Sequence, residues 1–242
     1  MLVHVITFRN GPFLSLSTQH SVDLALEVLQ HHSTAGHPLR HCTNGVPFTS
    51  AYASEHRLAE VMSLTEEQKA FRLRKLRTCF ASHDIDKDGY ITIDDFKEGA
   101  KRCIEYGKLK EEKAKETTKE WLDLANSLGV KEGEKISRDQ FVASAMTYSD
   151  NPESQEFTKR FKELKFDVVD ADDDGVISLE EFQLYFKCVG IDESHAKASF
   201  DGIDTDHDGK ITKEEFVAAS IEFFFGFDKT SGATLFYGPL LD

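Results

Sequence analysis

The chain of 242 residues has only four cysteines, and their placement excludes two classes. Cys42, Cys79, Cys103 and Cys188 form no close pair in sequence, so the spacing implies neither a zinc motif nor a disulfide framework. The last three fall in helical stretches and are expected as small buried hydrophobes in a reducing compartment. No run is apolar for long enough to span a bilayer. Positive charge is also scarce. Lys and Arg number 29 against 43 Asp and Glu, a formal net charge of −14. That balance argues against nucleic acid and against anionic membrane surfaces. No residue pattern suggests a nucleophile, a general-base pair or a phosphate cradle, so no enzyme is expected. The length suffices for two compact lobes.

What the chain does have is a repeat. Asp84–Asp95, Asp170–Glu181 and Asp204–Glu215 are twelve-residue loops of the EF-hand type. Carboxylates occupy positions 1, 3, 5 and 12. They are Asp84, Asp86, Asp88 and Asp95; Asp170, Asp172, Asp174 and Glu181; and Asp204, Asp206, Asp208 and Glu215. Oxygen donors in that order wrap a hard dication. Position 6 is Gly89, Gly175 and Gly209, where the chain turns with φ above zero. Position 7 needs only a backbone carbonyl, so Tyr90, Val176 and Lys210 all suit it. Thr92, Ser178 and Thr212 at position 9 are expected to hold a bridging water. Three calcium ions are therefore expected. Asp95 is one methylene shorter than Glu181 and Glu215 and reaches an ion less easily with both oxygens. Six-fold coordination, and with it magnesium, is favoured in loop 84–95.

The flanks repeat too. Ile91, Ile177 and Ile211 stand where paired loops exchange a short strand contact. Phe96, Phe182 and Phe216 follow the loops, and Phe80, Phe166 and Phe200 precede them by four residues. These rings are expected to build a hydrophobic floor. Ile136 and Phe141 keep the same spacing and mark a fourth, broken copy at 129–140. There Gly129, Lys131, Gly133 and Gln140 leave no carboxylate at positions 1, 3, 5 and 12. Its expected role is to pair with the first loop without metal.

Four segments result. Residues 1–64 hold seven of the ten histidines and no lysine. They are expected as a disordered extension, with a short helix at 21–30 as the longest periodic stretch. The acid-poor composition with Arg9 and Arg40 would suit a mitochondrial targeting segment, and the His31, His32, His37 and His41 cluster could take zinc or copper. Residues 65–150 form the first EF-hand pair. Thr65 and Gln68 make a capping box at its start, and helices run to about His83, to about Tyr106, over 110–128 and through Phe141. Residues 151–227 form the second pair, with helices at 153–169, 179–189, 193–203 and 213–227. Gly190 is the stop between its two hands. The tail 228–242 is too apolar for a free end and is expected to fold back onto the globule. The charge run at 108–116 mixes signs at helical spacing and is expected to be solvated. His83 and His207, beside and within loops, are expected to be exposed and without a catalytic role.

From Leu64 onward the chain resembles the sarcoplasmic calcium-binding proteins of invertebrates, and is similar also to the coelenterazine-binding proteins of luminous cnidarians. The resemblance lies in Ala198–Asp204, Glu214–Val217, Phe223–Phe225 and Phe236–Leu240. It implies an all-α globule of four EF-hands with the second degenerate. The related photoproteins carry several tryptophans, cavity histidines and a C-terminal proline. This chain has Trp121 alone, Gly202 at one of the histidine positions and Asp242 at its end, so photoprotein activity is not expected.

The expected function is a cytoplasmic, monomeric calcium buffer. Met1, Met62 and Met146 are too few to line the groove with which a sensor grips target helices. The alternative is a calcium-triggered carrier of a small apolar ligand such as coelenterazine.

Overall fold

A computed structural model of the chain describes residues 64–146 and 152–242. The expected helix at 21–30, the histidine cluster and Cys42 lie outside them. Among the described residues the fold is helical. Its α-helices are α1 Glu66–Ala81, α2 Ile93–Gly107, α3 Glu111–Ser127, α4 Arg138–Met146, α5 Pro152–Val169, α6 Leu179–Cys188, α7 Ala196–Ile203 and α8 Lys213–Phe225. None is long and apolar enough to cross a membrane. Four short strands sit between them: β1 Tyr90–Thr92, β2 Lys135–Ser137, β3 Val176–Ile177 and β4 Ile211–Thr212.

Local chemistry explains most of the helix starts. Thr65 accepts from the Gln68 amide while the Gln68 side chain accepts from Thr65 N–H at 2.9 Å, as the sequence implies. The same reciprocal box opens α2, α6 and α8, where it joins Thr92 to Asp95, Ser178 to Glu181 and Thr212 to Glu215. These are loop positions 9 and 12. The hydroxyls expected to hold water therefore cap helices, and the last acid of each loop is also the third residue of its exit helix. The broken hand keeps the box with an amide, as Gln140 Oε1 accepts from Ser137 N–H at 2.9 Å. Helix α6 stops at Gly190, whose φ of +73° lets Ile191 N–H reach back to the Phe186 carbonyl at 2.9 Å. The segment expected as one helix over 193–203 is split. Asp192 caps Ser194 and starts a 3-10 turn, Glu193–His195, that leads into α7.

The strands pair as the isoleucine spacing requires. Ile91 faces Ile136 across β1 and β2, and Ile177 faces Ile211 across β3 and β4, both antiparallel. The broken hand keeps this register but not the loop backbone. The intact loops place positions 4 and 6 in the left-handed region, at Lys87 and Gly89, Asp173 and Gly175, His207 and Gly209. The broken one turns at Gly129 and Gly133 and buries Val130.

The loop-flanking phenylalanines all lie in one core with Trp121, Tyr185 and the tail. Helix α2 packs on α6 and α3 on α5, so the core runs across both halves. The tail turns at Gly226, forms a 3-10 turn at Gly232–Leu235 and buries Ala233, Phe236 and Tyr237. Three of the hydrogen bonds that hold it come from α1 and α7. Ser199 donates to the Leu235 carbonyl at 2.6 Å, and the Arg74 guanidinium donates to the carbonyls of Leu240 and Leu241 at 3.1 and 3.2 Å. Gly202 lies against Gly232, where an added Cβ would sit 2.6 Å from the Gly232 carbonyl oxygen. No larger side chain fits at that position, histidine included.

Candidate metal centres

Three loops bring carboxylates together as the spacing implies, and each cluster holds positions 1, 3 and 12. Asp84, Asp86 and Asp95 place ligand atoms within 4.8 Å of one another, as do Asp170, Asp172 and Glu181, and Asp204, Asp206 and Glu215. Position 5 stands outside these clusters. Asp88, Asp174 and Asp208 accept from the backbone N–H of Tyr90, Val176 and Lys210 at 2.8, 3.0 and 2.8 Å.

The loop backbone holds the acids in place. One oxygen of Asp84, Asp170 and Asp204 accepts from the glycine N–H at position 6, at 3.1, 3.0 and 3.0 Å. The other oxygen of Asp84 is buried without a hydrogen-bond partner. A buried carboxylate oxygen in that condition is costly, and a dication is the partner that its two acidic neighbours would share. Burial pushes the Asp84, Asp95 and Asp170 carboxyls above their usual range, and neighbouring carboxylates add to the rise at Asp84 and Asp170. A bound cation acts in the opposite sense on the same groups. The donors are all hard oxygens, which suits calcium or magnesium and not a soft metal.

Asp95 makes the same kind of contacts as its longer counterparts. Its oxygens accept from Ile85 N–H at 2.8 Å and Asp86 N–H at 3.2 Å, and from Thr92 N–H at 2.7 Å. Glu181 reaches Ala171 and Ser178 N–H in the same way. The shorter acid is also the more deeply buried of the two.

The comparisons with known proteins agree with this geometry. The EF-hand domain pair model matches residues 149–226, and an EF hand model matches 76–100. The sarcoplasmic calcium-binding protein of Hediste diversicolor is 40% identical over 173 residues, which covers 70% of this chain and 98% of the relative. The luciferin-binding protein of Renilla reniformis is 33% identical over 182 residues, 74% of this chain and 99% of that one. This chain belongs to the EF-hand calcium-binding proteins of that group. Among solved structures, the coelenterazine-binding protein of Renilla muelleri in its calcium-loaded apo form matches with a TM-score of 0.68 at 32% identity, over 73% of this chain and all of the other. The photoprotein clytin matches at 20% identity with a TM-score of 0.55 over 74% of this chain and 98% of the other, a likeness of fold alone.

This EF-hand protein also has a central polar cluster that sequence reasoning missed. Lys162 and Lys165 on α5 are 0% and 1% exposed. Lys162 hydrogen-bonds the Tyr237 hydroxyl of the tail, and its ammonium lies about 5 Å from the rings of Phe161, Phe224, Phe236 and Tyr237. Lys165 lies 3.3 Å from Nε2 of His83. His83 is buried, contrary to the expectation of exposure, because the residue before the first loop points inward between Phe96, Phe161 and Tyr237. Its Nδ1 meets the Cys79 carbonyl at 2.8 Å, an acceptor only, so Nδ1 carries the proton and Nε2 accepts from Lys165. Burial, then the Lys165 charge, hold the His83 pKa well below its ordinary value, so the ring is neutral. Lys159, Lys162 and Lys165 are spaced three apart on one helix, and only the position of the tail reveals that two of them are core.

Burial pulls the Lys162 ammonium down to about 8, from about 10.4 in the unfolded chain. A lowered base binds fewer protons when folded, so this group's penalty is full below pH 8 and fades as pH rises toward 10.4. That penalty is about 3 kcal/mol at most, reduced on substitution by the hydrogen bond that Tyr237 loses. Lys162→Met is therefore expected to raise stability at pH 7 by about 1–2 kcal/mol, with the gain shrinking above pH 8. Urea melts at pH 7 and 9.5 check this; equal gains at both would count against it.

Proposed function

We propose that this chain is a non-enzymatic calcium buffer that takes three ions. The observation that carries this reading is three clusters of converging carboxylates set on a filled core. In each site the ligands are the carboxylates at positions 1, 3, 5 and 12 with the carbonyl at position 7. They are Asp84, Asp86, Asp88, Tyr90 and Asp95; Asp170, Asp172, Asp174, Val176 and Glu181; and Asp204, Asp206, Asp208, Lys210 and Glu215. The position 5 acid turns inward to complete the set. Among the described residues, Tyr106 and Leu241 are the large apolar side chains open to solvent, which gives no groove for a target helix. We read the protein as a cytoplasmic monomer without nucleic-acid or membrane partners, in keeping with its net charge of −14.

The carrier reading has support in the luciferin-binding relative. Against it stands the small size of an apolar cavity among the described residues, about 30 Å³ beside Cys79, His83, Phe157, Phe161 and Phe224. Sites for drug-sized ligands run from about 300 to 1,000 Å³. Calorimetry on the full chain should give three calcium ions at saturation; four would overturn the assignment of loop 129–140 as metal-free. Adding coelenterazine to the calcium-free and calcium-loaded protein separates the two readings. Binding without calcium and release with it would replace the buffer with the carrier.

Magnesium competes best in loop 84–95. Asp95→Glu lengthens the one short acid at position 12 and is expected to raise calcium preference over magnesium at that site, with little change at the other two. Competition titrations that show no shift in selectivity would remove the argument from side-chain length.

A further inference from the structure

The sequence holds Cys103 and Cys188 far apart, and the fold brings them together. They lie on α2 and α6, the exit helices of the first and third hands. Arg102 Nη1 donates to the Cys188 carbonyl at 3.4 Å, and Leu184 lies beside Gly107, so the two helices pack side by side. Both thiols are buried, and both are free. Neighbouring Cys188, then burial, raises the Cys103 pKa far above the usual thiol value. In the closed fold they are therefore protonated and shielded.

We infer that Cys103 and Cys188 form a dithiol switch, oxidised by a low-molecular-weight disulfide such as glutathione disulfide when the calcium loops are empty. One thiolate attacks a glutathione sulfur and expels one glutathione, leaving a mixed disulfide. The second thiolate attacks the protein sulfur of that mixed disulfide and expels the other glutathione. One protein S–S bond forms, the glutathione S–S bond breaks, and the two protons pass to the released glutathiones.

The gate is the metal. Attack needs a thiolate and room for the tripeptide, and the packed α2–α6 contact provides neither. Without ions, the carboxylates at positions 1, 3 and 12 repel one another in each loop, and the exit helices that they start lose their anchors. Once formed, the bond ties the first hand to the third and limits how far α2 and α6 can separate. The oxidised chain thus stays nearer the calcium-binding arrangement and releases its ions more slowly. Among the described residues Cys79 offers no competing pair: its thiol lies 4.0 Å from Nδ1 of His83.

The test uses the full chain, incubated with glutathione disulfide in calcium or in chelator and digested without reductant. Mass spectrometry is expected to find one peptide pair joined through Cys103 and Cys188, two hydrogens lighter than the sum, formed at least roughly tenfold faster in chelator. Chelator-triggered calcium release from the oxidised protein should be several-fold slower than from the reduced protein, and reductant should restore it. Glutathione adducts in place of the joined peptides, equal rates with and without calcium, or joined chains with unchanged release would each overturn the inference.

Discussion

Saturating calcium is expected to raise the melting temperature by roughly 15–30 °C. Each ion bound only by the folded chain contributes about 2.7 kcal/mol at a hundredfold excess over its dissociation constant, hence about 8 kcal/mol for three. For a domain of this size 1 kcal/mol moves the midpoint by about 2–4 °C. The structural reason is specific. Without cations, nine carboxylates crowd in three groups of three, and one oxygen of Asp84 is buried with no partner. The sign of the effect on exposed surface is equally specific. The loop-flanking rings already meet in one core, so calcium should tighten the globule and reduce binding of a hydrophobic dye. Calorimetric scans and dye fluorescence check both. A shift of only a few degrees, or a marked gain in fluorescence on adding calcium, would favour a sensor over a buffer.

Phe236→Ala is expected to destabilise the protein by about 3–5 kcal/mol, the usual cost of emptying a buried phenylalanine site. Although only six residues follow it in the sequence, Phe236 is a core residue. Its ring lies 4.9 Å from Phe216, 5.0 Å from Tyr237 and 6.2 Å from Phe223. Phe216 lies in the first turn of the last exit helix, next to Glu215, so the substitution should also weaken calcium binding in loop 204–215. Leu241→Ala is the control. That side chain is exposed, and its loss should change stability by less than about 0.5 kcal/mol. If both variants melt alike, the tail is not part of the core.

The carboxylate clusters were the most legible part of this chain. A calcium loop is local: twelve consecutive residues carry the donors, the turn glycine and the first turn of the exit helix. Spacing alone therefore placed Asp84, Asp86 and Asp95 together, and likewise their counterparts in the other two loops. The strand register was legible for a similar reason, because isoleucine at position 8 of each loop can meet only its equivalent in the paired loop. The absence of carboxylates at positions 1, 3, 5 and 12 of loop 129–140 was as plain as their presence elsewhere. Its backbone was not, because without carboxylates at those positions to organise it the turn falls at Gly129 and Gly133.

The interior was decided by tertiary structure. Lys162 and Lys165 sit on a helix whose polar face would be solvated if the tail did not cover it. Nothing within α5 says where Tyr237 will land. His83 follows the same logic, since a residue next to an exposed loop turned inward to meet Lys165 and the tail. Cys103 and Cys188 became neighbours only through the packing of α2 on α6. Sequence by itself thus determined most of the helices, the Thr65 cap, the loop pairing and three oxygen-lined clusters, because each depends on contacts a few residues apart or on a repeated register. Which polar groups are buried, how the tail closes the core and how little cavity remains depend on segments distant in the chain. Those were fixed only when the segments packed.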